Sequence, residues 1–74
     1  MKVYPNPANE QVTITTEQKN NYNIVITDVI GKVVFKSTLI NKLEIQVKDW
    51  QAGFYYVQVI SENGYKEVQK LIIE

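Results

Sequence analysis

Residues 49–61 read DWQAGFYYVQVIS, and this stretch decides the fold. Tyr55, Val57 and Val59 alternate with Tyr56, Gln58 and Ile60. Successive side chains of a strand point to opposite faces, so the first three share one face of a half-buried strand. The lead-in carries a second signal. Trp50 stands three residues before Gly53, and Tyr55 two after it. A tyrosine is thereby placed at the start of a strand, just past a crossover between sheets. In two-sheet sandwiches a tyrosine there ties its hydroxyl back to upstream backbone, the tyrosine corner. Trp50 offers a large apolar body to close the same end of the core.

The same period of two recurs along the chain. Val12 and Ile14 flank Thr13; Ile24 and Ile26 share one parity; Leu43, Ile45 and Val47 alternate with Glu44 and Gln46. Short turn signals separate these runs: ANEQ, the EQKNN stretch from Glu17 to Asn21, and STLIN from Ser37 to Asn41. The pattern predicts seven strands over residues 2–4, 11–16, 22–28, 32–38, 43–48, 54–61 and 65–73. Helical periodicity, internal repeats, linkers and low-complexity segments are missing from the sequence. The expectation is an all-β chain, a monomeric, seven-stranded, immunoglobulin-like antiparallel β-sandwich. Val12, Ile14, Ile24, Ile26, Ile45, Val47, Tyr55, Val57 and Val59 should face inward.

Composition narrows the chemistry. With 74 residues the chain is one domain near the size where a core barely suffices. It has no cysteine, hence no disulfide staple, thiolate ligand or thiol nucleophile. It has no histidine, which removes the usual base near neutral pH and the commonest metal ligand. Its basic residues, all lysine, balance its acidic ones, so no long-range field steers nucleic acid or an anionic membrane. No apolar run approaches the roughly 18 residues of a membrane span. Met1-Lys2 runs straight into Val3-Tyr4, leaving no room for a signal peptide, so an export signal is expected outside this stretch. Glu10, Glu17, Asp28, Glu44, Asp49, Glu62 and Glu67 are dispersed, without a calcium-loop pattern. Turn-forming side-chain bonds account for Asp28 and Asp49. These features argue against an enzyme and predict no cofactor and no metal site.

Three local features remain. Pro5 and Pro7 bracket Asn6, and two prolines two residues apart remove donors from one side of an extended chain. The segment reads as a shaped edge, with a type I turn over Asn6-Pro7-Ala8-Asn9. Asp28 and Gly31 read as a type I turn with a glycine bulge, leaving Val29 and Ile30 exposed at the tip. Asn63-Gly64 predicts a two-residue type I′ hairpin. That turn would set Glu62 opposite Tyr65, Val59 opposite Val68 and Val57 opposite Lys70. Lys70 would then share the core face, relieved by snorkelling past the rim or by a bulge.

The order of these pieces carries a family resemblance. YPNPANEQVTI, then ITDVIGKVVF, DWQAGFYYVQV and YKEVQKLIIE together resemble the type A C-terminal sorting domain of the Bacteroidota type IX secretion system. The resemblance covers essentially the whole chain. It implies a non-catalytic secretion signal at the end of a larger precursor, whose N-terminal cargo is absent here. The cargo, brought to the periplasm by its own signal peptide, would cross the outer membrane through the translocon. A sortase-like peptidase would then remove the domain, leaving the cargo at the cell surface or secreted. Position by position, the resemblance marks Pro5, Asn6 and Pro7, the turn residues Asp28 and Gly31, the GxY pair Gly53 and Tyr55, and Lys70. Trp50 departs from it, since leucine is commoner there. The lead-in segment and the terminal strand become the candidate recognition elements, because edge strands offer backbone groups to a partner.

Two other classes fit a sandwich. A carbohydrate-binding or adhesion module would need exposed aromatics on one flat face, for which Tyr22, Tyr56 and Tyr65 are the candidates. A structural spacer is the default that fold alone supports.

Overall fold

The computed structural model describes residues 1–17 and 20–74. Gln18 and Lys19, within the expected Glu17–Asn21 turn, lie outside the described residues. Seven strands form: β1 (Lys2–Tyr4), β2 (Gln11–Thr15), β3 (Tyr22–Asp28), β4 (Val33–Leu39), β5 (Lys42–Gln46), β6 (Gly53–Ser61) and β7 (Lys66–Ile73). Each lies within two residues of its expected bounds, and no helix occurs among the described residues.

The strands divide into a three-stranded sheet, β1-β2-β5, and a four-stranded sheet, β4-β3-β6-β7. All ladders are antiparallel. This is the immunoglobulin-like arrangement with its fourth strand joined to the larger sheet. All nine residues expected to face inward are buried. Ala8, Tyr22, Leu39, Leu71 and Ile73 join them in one core. Each fully buried aliphatic side chain contributes roughly 1.5–3 kcal/mol of transfer free energy. A chain this small therefore depends on nearly every inward position.

Two hairpin turns share one geometry, and one of them corrects the sequence reading. At the β3–β4 turn the Gly31 amide donates to the Asp28 carbonyl (3.1 Å), and Asp28 N–H donates to the Lys32 carbonyl (3.0 Å). Gly31 has φ +91°, as the expected glycine bulge requires. At the β6–β7 turn the Gly64 amide donates to the Ser61 carbonyl (3.1 Å), and Ser61 N–H to the Tyr65 carbonyl (2.8 Å). Gly64 has φ +92°, but Asn63 does not have positive φ. A type I′ turn needs positive φ at both central residues. The loop is thus three residues, Glu62-Asn63-Gly64, a type I turn closed by a bulge.

That extra residue shifts the register by one. Tyr56, not Val57, pairs with Lys70, and Gln58, not Val59, pairs with Val68. Lys70 consequently stands on the solvent face, and Leu71 and Ile73 fill the core positions. Neither snorkelling nor a bulge within β7 is involved.

Candidate functional site

Residues spread from position 5 to position 70 converge at one end of the four-stranded sheet. Asp28 pairs with Tyr55 across β3 and β6, and Tyr55 pairs with Leu71 across β6 and β7. Gly53, with φ +149°, opens β6 opposite Ile73. The residues flanking Leu71 are Lys70 and Ile72, and Asn6 is bonded to both. Its side-chain amide donates to the Lys70 carbonyl (2.9 Å), while its amide oxygen accepts from the Ile72 N–H (3.0 Å).

Asn6 thereby acts as a strand residue made from a side chain. An extended neighbour would present one donor and one acceptor to the outer edge of β7; the carboxamide supplies the same pair. Ala8 continues the contact with true backbone groups. Its N–H donates to Ile72 (2.9 Å), its carbonyl accepts from Glu74 (2.8 Å), and it forms a parallel bridge with Ile73. The Tyr4-Pro5 and Asn6-Pro7 peptides are both cis. The type I turn expected over Asn6–Asn9 gives way to this run along β7. So does the open edge: the lead-in segment and the terminal strand cover one another. Further along β7, the Gln69 side-chain amide reaches the Met1 carbonyl (2.8 Å).

The other marked residues are equally occupied within the chain. The Asp28 carboxylate accepts from the Ile30 N–H (3.0 Å) and the Lys32 N–H (2.9 Å), holding the turn from inside. Val29 and Ile30 stay exposed at its tip, as expected. The Tyr55 hydroxyl donates to the Gln51 carbonyl at 2.6 Å, forming the predicted tyrosine corner. Trp50 tilts against Tyr55, with ring centroids 5.3 Å apart, and against Phe35, with centroids 6.3 Å apart. The polar groups of Asn6, Asp28 and Tyr55 thus serve the fold, and what they present outward is shape.

Lys70 differs. Its ammonium lies over the Phe54 ring, 4.2 Å from the centroid, on the solvent face. Phe54 is 48% exposed and Tyr56 40%. The parity that places Tyr56 outward places Phe54 outward as well, so the period of two in the sequence marks both rings. The proposed aromatic sugar platform loses Tyr22, which is buried in the core. Tyr65 sits by the hairpin, where its hydroxyl bonds Glu67 (3.0 Å) and its own ionisation is pushed up. Burial raises the Glu67 carboxyl. Hydrogen bonds from Tyr65 and, in a chain that begins at Met1, from its free amino group, with that group's charge and Gln69, outweigh this and hold it below its ordinary value.

Among the described residues no cluster of His, Cys, Asp and Glu could hold a metal ion. No helix there is long and apolar enough to cross a membrane.

Comparison with known proteins gives two findings. The family model described as the secretion system C-terminal sorting domain matches residues 2–74. An endo-acting ulvan lyase of Formosa agariphila is 35% identical over 77 residues, an alignment that takes in all of this chain and 15% of that enzyme. The chain therefore spans only a small part of the relative it matches.

Proposed function

The chain belongs to the secretion system C-terminal sorting domain family, and from that membership we propose how it works: as a folded, non-catalytic address at the end of a larger precursor. The cargo lies on its N-terminal side, and an N-terminal signal peptide brings the precursor into the periplasm. The type IX translocon then carries cargo and domain across the outer membrane. A sortase-like peptidase removes the domain afterwards, leaving the cargo at the cell surface or secreted. The observation that carries this reading is the match over nearly the whole chain, joined to the gathering of Asn6, Asp28, Gly53, Tyr55 and Lys70 at one end of the sheet.

Asn6, set between Pro5 and Pro7, clamps the terminal strand. Asp28 and Gly31 shape the neighbouring turn, and Gly53 and Tyr55 anchor the corner. Such a signal is read as a rigid surface, since its polar motif groups are already bonded within the chain. The relative that shares the domain is a lyase. The alignment covers only 15% of that enzyme, and we read this chain as an address that takes no part in lyase chemistry.

The test is a fusion of residues 1–74 to the C-terminus of a periplasmic reporter in a bacterium possessing type IX machinery. The reporter should appear outside the cell. A stable fusion that stays periplasmic would reassign the domain as a spacer or binding module.

A further inference from the structure

The outer face of the four-stranded sheet has an unusual composition. A sheet with one face on the core ordinarily turns polar side chains to water. Here the outward positions of β6 and β7 include Phe54, Tyr56, Val68 and Ile72, of which the first three are well exposed. The ladders bring them side by side: Phe54 opposite Ile72, Tyr56 opposite Lys70, Gln58 opposite Val68. Through Gln58 and Val25 the row carrying Val68 continues to Lys36 on β4.

Charge on this face is one-sided. Within the strands its alternate outward positions carry Lys36, Lys66 and Lys70 and no carboxylate; Glu74 shares their parity just past the end of β7. The whole chain is neutral, so the balancing acids lie elsewhere. Apolar patches rimmed by charge mark interaction surfaces. An apolar partner alone would strip water from the lysines without replacing it, at a cost. Carboxylates placed around an apolar spot would meet both features of the face.

We propose that this face, which sets Phe54, Tyr56, Val68 and Ile72 beside Lys36, Lys66 and Lys70, docks on a protein partner that presents carboxylates next to an apolar contact. The inference rests on the sorting reading, in which that partner belongs to the export machinery. The size of the face suits a passing contact. Four strands and a six-residue rise cover about 14 Å by 20 Å. That is less than the roughly 800 Å² per partner of a standard stable interface. A signal that must be recognised and then released needs a contact of that strength. The exposed Val68 and the half-buried Ile72 offer a glycan no hydrogen bond, which favours a protein. Lys70, laid over Phe54, is held where it can meet a carboxylate beside that ring.

The test compares four reporter fusions in cells with type IX machinery. They are the parent, Lys36→Gln/Lys66→Gln/Lys70→Gln, Phe54→Ser/Tyr56→Ser, and the control Lys2→Gln/Lys42→Gln/Lys48→Gln, which removes equal charge elsewhere. Thermal unfolding of each isolated domain establishes that it folds. The face variants should export at least fivefold more slowly, with the control within twofold of the parent. If the parent itself is not exported, the sorting reading fails and takes this inference with it. If the parent is exported and the folded lysine variant matches the control, the docking face is wrong and the sorting reading stands. Should the aromatic variant fail to fold, the lysine variant alone decides. Binding of the domain to dextran sulfate that is lost in the lysine variant, with export unchanged, would assign the face to an anionic glycan and overturn the proposal.

Discussion

Lys70 pairs with Tyr56 across β6 and β7, and this pairing is why its charge stands in water. The three-residue loop that sets the register costs the core nothing, because Leu71 and Ile73 take the inward positions. Lys70→Ala should therefore be mild. Losing an exposed cation–π contact costs about 0.5–1 kcal/mol. In a domain this small that is a fall in melting temperature of at most about 8 °C. A larger fall in a thermal melt would mean that Lys70 supports the fold in a way its exposure does not explain.

Asn6→Ala should cost more than its exposure suggests. The substitution leaves the Ile72 N–H and the Lys70 carbonyl without their partner on the β7 edge. Two lost bonds at a partly solvated edge amount to about 1–3 kcal/mol. Amide exchange at Ile72 should accelerate while exchange at Val57, in the middle of β6, changes only with global stability. Unchanged protection at Ile72 would show that Asn6 does not seal this edge.

Tyr55→Phe isolates the corner bond. The ring stays against Trp50, and only the hydroxyl donating to the Gln51 carbonyl is lost. The expected destabilisation is about 1 kcal/mol, measured by denaturant unfolding with an unchanged slope. Trp50→Ala should exceed it, since it removes a large apolar plug packed against Phe35 and Tyr55.

The two bulged turns predict a matched pair of effects. Gly31→Ala and Gly64→Ala each force a Cβ into a left-handed conformation, at about 1 kcal/mol or more. Neither site has atoms near an added Cβ, so the cost is conformational, not steric crowding by neighbours. Asn63→Gly should give no gain, because Asn63 does not occupy the left-handed region. A stabilised Asn63→Gly variant would point back to a type I′ hairpin.

Acid should weaken the domain through Glu67. Its carboxyl titrates lower in the folded state than in the unfolded chain, so its contribution is present above the ordinary carboxylate range. That contribution disappears as pH falls through the folded value. Glu67→Gln should flatten this part of the stability–pH curve, read from melts between neutral and acidic pH. An identical curve for the variant would place the acid sensitivity on other carboxylates.

Much of the architecture was legible in the alternation of apolar residues. Val12 and Ile14, or Val57 and Val59, can reach a common core only from strands, because a period of two has no other regular solution. Asp28-x-x-Gly31 revealed its turn because a short polar side chain and a left-handed glycine act within a few residues. Tyr55 showed its corner for the same reason, its acceptor lying only four positions upstream. The β6–β7 turn misled because Asn63-Gly64 suits two turn types. Ser61, three positions before Gly64 as Asp28 is before Gly31, was the signal favouring the bulged one. A one-residue change of loop inverted the assigned face of every residue on β7, Lys70 included.

By itself the chain's sequence determined what short-range physics determines: strand positions, core parity in every strand but β7, one bulged turn and the tyrosine corner. Tertiary structure alone decided that Asn6 would imitate a strand against Ile72 and Lys70, and that Phe54, Tyr56 and three lysines would share one face. These are contacts between residues up to 66 positions apart. Which of them forms depends on how the sheets stack and in what register. That choice is made by the packing of the whole core, and no local stretch of sequence holds it.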